Sequence, residues 1–156
     1  MRINIKQLVI YIAIPLLVGG LASLLTQGSM ETFGRLNQPP LSPPGILFPI
    51  VWTILYTLMG IASYLIVSSD ASKEEIQNAL FVYALQLGVN FFWSIFFFNL
   101  EWYLFSFFWL ILLWVFIVYT IVVFYRISKP AAYLLIPYLL WVTFAGYLNL
   151  GIAILN

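Results

Sequence analysis

Apolar positions dominate this chain in five long runs, residues 8–25, 46–67, 79–98, 102–125 and 131–155, and the charged positions fall almost wholly between them. A bilayer core of about 30 Å needs roughly 20 apolar residues per helix, and each run meets or nearly meets that length. The pattern predicts an all-α membrane protein. Residues 1–156 form one domain, a single bundle of five transmembrane helices with the lipid bilayer as its surroundings.

Composition agrees. Charged residues make up 7% of the chain, against about 25% in a soluble domain. The connectors at 68–75, 99–101 and 127–130 leave no room for an extramembrane domain, and the longest gap is 28–45. An odd number of helices without a detectable repeat argues against two equal inverted halves, a common plan of secondary transporters. Loop cations set orientation. Arg2, Lys6, Lys73, Arg126 and Lys129 share one side and Arg35 stands alone on the other, which is expected to place the N-terminus on the cytoplasmic side if the membrane is a bacterial plasma membrane. The first run exceeds a typical signal-peptide core and lacks a clean cleavage site, so it reads as a retained helix. No basic cluster suits nucleic acid.

The chain has no Cys and no His. That removes disulfides, thiol nucleophiles, zinc sites and the commonest haem axial ligands. No metal site and no required cofactor are expected.

The gap between the first two spans holds Pro39, Pro40, Pro43 and Pro44. Four prolines in six residues cannot be helical and push their neighbours to extended conformations. The segment reads either as a stiff linker or as a lid over the mouth of the bundle. Within the spans, Trp52 and Tyr56 lie one turn apart, with Gly60 a turn further. Gln86, Asn90 and Ser94 recur every fourth residue, beside Trp93 and Phe97. Amides at membrane depth must face the interior and find partners. They serve either inter-helix hydrogen bonds, worth about 1 kcal/mol each, or a ligand. In the last span Pro137 should kink the helix, while Trp141, Ala145, Leu148 and Asn149 share a face. Trp102 suits an interfacial anchor, whereas Trp109 and Trp114 face lipid or core. Gly19-Gly20 and Ala84-x-x-x-Gly88 are candidate close-packing seams, within or between subunits. Aromatic walls with a few convergent amides suit a flat hydrophobic ligand.

Three blocks carry a resemblance. Residues 43–60 (Pro-Pro-Gly-Ile-Leu-Phe-Pro-Ile-Val-Trp-Thr-Ile-Leu-Tyr-Thr-Leu-Met-Gly) resemble the helix-2 signature of the translocator protein family, also called tryptophan-rich sensory proteins or peripheral benzodiazepine receptors (TspO/MBR). Residues 90–97 (Asn-Phe-Phe-Trp-Ser-Ile-Phe-Phe) and 137–149 (Pro-Tyr-Leu-Leu-Trp-Val-Thr-Phe-Ala-Gly-Tyr-Leu-Asn) resemble its helix-3 and helix-5 signatures.

The resemblance implies a bacterial receptor, usually a homodimer, whose ligand is a porphyrin such as protoporphyrin IX or another hydrophobic small molecule. Benzodiazepine-site ligands also bind family members. Trp52, Asn90, Trp93, Trp141, Ala145 and Leu148 match family pocket positions beneath the first loop, with Asn149 close by; Tyr56 and Phe97 join them by helical spacing. Some bacterial members degrade porphyrin in light, a role that would fall to Trp52 and Trp141; otherwise no residue is catalytic. Transport of the same ligands is the alternative. The chain departs from the family at Leu41 and Ile46, where loop tryptophans are usual, and near Trp109, where an acidic residue is frequent. No Lys or Arg follows Lys129, so the C-terminal cholesterol pattern is incomplete.

Overall fold

A computed structural model describes residues 2–156. Helix α1 (Ile5–Thr26) runs through a 3₁₀ turn (Gln27–Ser29) into a short α2 (Met30–Gly34). Then come α3 (Leu47–Val67), α4 (Lys73–Ser94) with a π turn at its end (Ile95–Asn99), and α5 (Tyr103–Ile127). The last span is divided into α6 (Lys129–Leu134) and α7 (Ile136–Leu155). Five stretches are long and apolar enough to cross a membrane: Ile5–Gly34, Leu47–Val67, Lys73–Asn99, Tyr103–Ile127 and Lys129–Leu155. The protein is an integral, multi-pass membrane protein.

Local chemistry sets the helix ends. The Asn4 side chain caps α1. Ser72 Oγ accepts from the Glu75 amide and donates to its carboxylate, an N-cap that starts α4 at Lys73, ahead of its apolar run. Ser128 accepts from the Ala131 amide and opens α6. The kink expected from Pro137 is a full interruption at Leu135, because proline cannot donate to the carbonyl four residues back.

Part of the gap at 28–45 is helical. Residues 30–34 hold no proline, Arg35 pairs with Glu31 at 2.6 Å, and Phe33 packs edge-on against Phe48, Phe97 and Phe98. Non-helical chain begins only at residue 35 and lasts to 46.

Around the bundle the order is α1, α3, α6–α7, α5, α4 and back to α1. Polarity is inverted relative to a soluble protein. Leu17, Phe81, Leu140 and Ile154 are exposed, while Gln86, Asn90 and Asn149 are buried. Glycines bring α1 and α3 together. A Cβ at Gly19 would collide with the Tyr56 ring, and one at Gly60 with the backbone of Ile12. Pro15, inside α1, cannot donate to the Tyr11 carbonyl, and that oxygen lies against Gly60. By contrast, Gly20 and Gly88 meet nothing within 4 Å, so neither serves packing inside the subunit.

Candidate functional site

Three helices converge on one interior cluster. α3 brings Trp52 and Tyr56, α4 brings Gln86, Asn90 and Trp93, and α7 brings Tyr138, Trp141, Ala145, Leu148 and Asn149; Phe97 joins them from the π turn. Trp52 and Trp141 are half-buried and the others are buried.

Two hydrogen-bonded chains cross the cluster. In the first, the Tyr56 hydroxyl donates to Asn90 Oδ1 at 3.3 Å, and Asn90 Nδ2 donates to the Tyr138 hydroxyl at 2.8 Å. The Tyr138 hydroxyl in turn donates to Gln86 Oε1 at 2.7 Å. In the second, Trp93 Nε1 donates to Asn149 Oδ1 at 3.0 Å, and Asn149 Nδ2 donates to the Tyr103 carbonyl at 2.8 Å. Gln86 and Asn90 thus point inward as their four-residue spacing requires, and inter-helix bonding engages both sides of each asparagine amide. That engagement gives the amides a structural role whatever else they do.

Aromatic rings wall the same space. Trp52 stacks on Tyr56 with centroids 5.4 Å apart and meets Tyr138 edge-on at 6.2 Å. Trp93 stacks on Phe97 at 5.1 Å. Phe48, from the start of α3, meets Trp141 at 5.8 Å.

Polar satisfaction is incomplete in a specific way. Trp141 Nε1, Gln86 Nε2 and the Tyr83 hydroxyl are buried with no hydrogen-bond partner among the described residues. Buried polar groups are nearly always paired, so each exception marks an atom suited to a partner from outside the protein fold. The other interior tryptophans differ. Trp109 Nε1 donates to the Val89 carbonyl at 2.8 Å and Trp114 Nε1 to Thr143 Oγ1 at 2.9 Å, so both belong to the α4–α5–α7 framework.

Tyr138 was not singled out as a site residue from the sequence, although it joins Asn90 to Gln86. Its position three residues before Trp141 and seven before Ala145 put it on the same helical face, which was the available signal. Phe48 was missed likewise. Two cavities lie elsewhere. One, of about 250 Å³, runs between α5 and α7 beside Trp114, Thr143 and Tyr147. The other, of about 380 Å³, sits between the α3–α4 and α5–α6 connections beside Asp70, Glu75 and Arg126.

Known proteins match this sequence along most or all of its length. A sequence model of the TspO/MBR family matches residues 11–155. The tryptophan-rich protein TspO of Chlorobaculum tepidum is 40% identical over 100% of this chain and 99% of its own length. Its namesake in Archaeoglobus fulgidus is 39% identical over 98% and 99%. The translocator protein of Bos taurus is 34% identical over 87% of this chain and 82% of its own. The chain belongs to the TspO/MBR family.

Proposed function

We propose that this TspO/MBR family member is a membrane receptor for flat, largely apolar ligands of the tetrapyrrole class, protoporphyrin IX among them, held between α3, α4 and α7. The observation that carries the reading is the unpaired Nε1 of Trp141. It is a buried donor set between aromatic walls, whereas Trp93, Trp109 and Trp114 each have an acceptor within the protein. A ligand face stacked on Trp52 or Trp141, with an acceptor atom at that nitrogen, satisfies both features at once. No metal ligation is needed, since the chain has neither His nor Cys. Any acidic substituent of the ligand belongs at the watery mouth, because no cation lies at the depth of the cluster to receive it.

The names of relatives support two uses of such binding. A protein of Cereibacter sphaeroides is called a tryptophan-rich sensory protein and that of Bos taurus a translocator protein. Sensing requires only that occupancy alter the bundle; translocation requires a second access state. The division of the last span at Leu135 supplies a joint about which α7 could change its tilt, which favours keeping translocation as the second reading.

The test is a protoporphyrin IX titration of purified protein in detergent, followed by tryptophan quenching, with Trp141→Phe and Asn90→Leu alongside. Saturable quenching, weakened in both variants, is expected. Non-saturating quenching of equal slope in all three proteins would reduce the interaction to partitioning and remove tetrapyrrole binding.

A further inference from the structure

The end of the bundle opposite the Pro-rich segment holds the cavity of about 380 Å³ between the α3–α4 and α5–α6 connections. Three charged side chains border it: Asp70 from the α3–α4 connection, Glu75 from the first turn of α4 and Arg126 from the last turn of α5. All three are exposed, and they do not close on one another; the one ion pair among the described residues is Arg35–Glu31, at the other end. Glu75 Oε1 accepts from Ser72 Oγ at 3.0 Å, which leaves its second carboxylate oxygen to face outward. Ser128, also in the wall, accepts from the Ala131 amide through Oγ, a role that leaves its own O–H available as a donor.

This space lies where the apolar spans give way to water. α3 ends at Val67 and α5 at Ile127, and the wall includes Leu65 and Ile127 from those two ends. Next to Arg126 in the chain, Tyr125 is exposed and meets the exposed Tyr133 at 6.2 Å, while Lys129 Nζ stands 5.6 Å from the centroid of the Tyr125 ring. Exposed tyrosines with a lysine among them mark the level of lipid headgroups.

The wall thus offers one cation and two anions to a single occupant. A purely anionic headgroup would meet two carboxylates for one guanidinium. A choline group has no N–H to give the carboxylates and is recognised by aromatic faces, and no aromatic residue lines the cavity. A phosphate joined to a primary ammonium matches every group present. Its phosphate oxygens suit the parallel N–H donors of Arg126 and the Ser128 hydroxyl, and its ammonium hydrogens suit Asp70 and Glu75. We infer that this cavity binds the phosphoethanolamine headgroup of a membrane lipid, with the glycerol end turned toward Leu65 and Ile127. The bound lipid ties the two connections together across that end of the bundle.

The test is native mass spectrometry of delipidated protein incubated with equimolar phosphatidylethanolamine, phosphatidylcholine and phosphatidylglycerol of identical acyl chains. The parent should retain phosphatidylethanolamine about tenfold over either competitor, the effect of one charge-assisted hydrogen bond. Asp70→Asn combined with Glu75→Gln should abolish that excess, and so should Arg126→Gln. Glu74→Gln, which does not line the cavity, should leave it in place. Equal retention of the three lipids by the parent would overturn the inference, as would an excess that persists in both cavity variants. An excess of phosphatidylglycerol, lost in Arg126→Gln, would overturn it in favour of an anionic lipid. Glycerophosphoethanolamine, which lacks acyl chains, should not displace the lipid at equal concentration; displacement would assign the cavity to a free phosphoethanolamine compound instead.

Discussion

The two halves of the bundle are built to different standards. In the half away from the Pro-rich segment, Met59, Ala62, Ile66, Ala79, Ile117, Phe124 and Ala131 have no accessible surface at all. Small alanines of α3, α4 and α6 interlock there with larger side chains, and Tyr83 stacks on Phe124 at 6.0 Å. In the half beneath the segment, the core consists of aromatic rings and amides, and Trp52 and Trp141 are only half-buried. Small and large apolar side chains packed closely together make one end a dense floor. The other end carries the adaptable surface, and the hydrogen-bonded tyrosine–amide chain marks the boundary between them.

Substitutions should separate the two halves. The largest effect is expected in the floor. Phe124→Ala should cost about 3–5 kcal/mol of stability by leaving a cavity, measured as a fall in the unfolding midpoint in detergent, with ligand affinity of the folded fraction unchanged. At the boundary, Asn90→Leu should cost about 2 kcal/mol, because two buried tyrosine hydroxyls lose their shared partner. It should weaken porphyrin binding as well; a change in stability alone would make Asn90 a purely structural link. In the upper half, Trp141→Phe should lower porphyrin affinity about tenfold, equivalent to about 1.4 kcal/mol, and leave the unfolding midpoint in place because its N–H bonds nothing in the protein. A shifted midpoint with unaltered affinity would put Trp141 in the framework. The smallest effect belongs to Trp109→Phe, about 0.6 kcal/mol of stability through the lost bond to the Val89 carbonyl, with no change in binding by the same titration.

Legibility in the sequence followed the same division. Charge placement gave the number of spans, though the first continues to Gly34 and the third begins at Lys73, well outside the apolar runs, and the polar residues inside them revealed their inward faces: Gln86 and Asn90 on α4, Asn149 on α7. On α5 only Ser106 and Thr120 interrupt the large apolar side chains, too sparse a pattern to tell which tryptophans face lipid and which face the core. Trp109 could therefore not be oriented until the Val89 carbonyl was seen beside it. Partners were equally out of reach. The bonds that build the cluster join residues 34 to 56 positions apart, and which helices adjoin is a property of the bundle rather than of any segment. Glycines illustrate the point. Gly19 and Gly20 are neighbours in the chain, yet one accommodates the Tyr56 ring and the other faces open space. The short α2 escaped notice because its apolar residue Phe33 packs on rings from α3 and the π turn, a tertiary reason for a helix with little local one.

The order in which the helices are made gives α7 a further significance. The ribosome delivers α1 and α3 early, and their backbone contact at Gly60 needs no residue beyond that point, so the first pair can form while synthesis continues. Nothing comparable holds for the cluster. Tyr138, Trp141 and Asn149 complete its walls, and the Tyr147 hydroxyl donates to the Pro40 carbonyl of the segment above it, all from the final helix. A nascent chain therefore acquires a membrane-inserted scaffold well before its interior cluster is complete, since the cluster exists only once the last helix has joined.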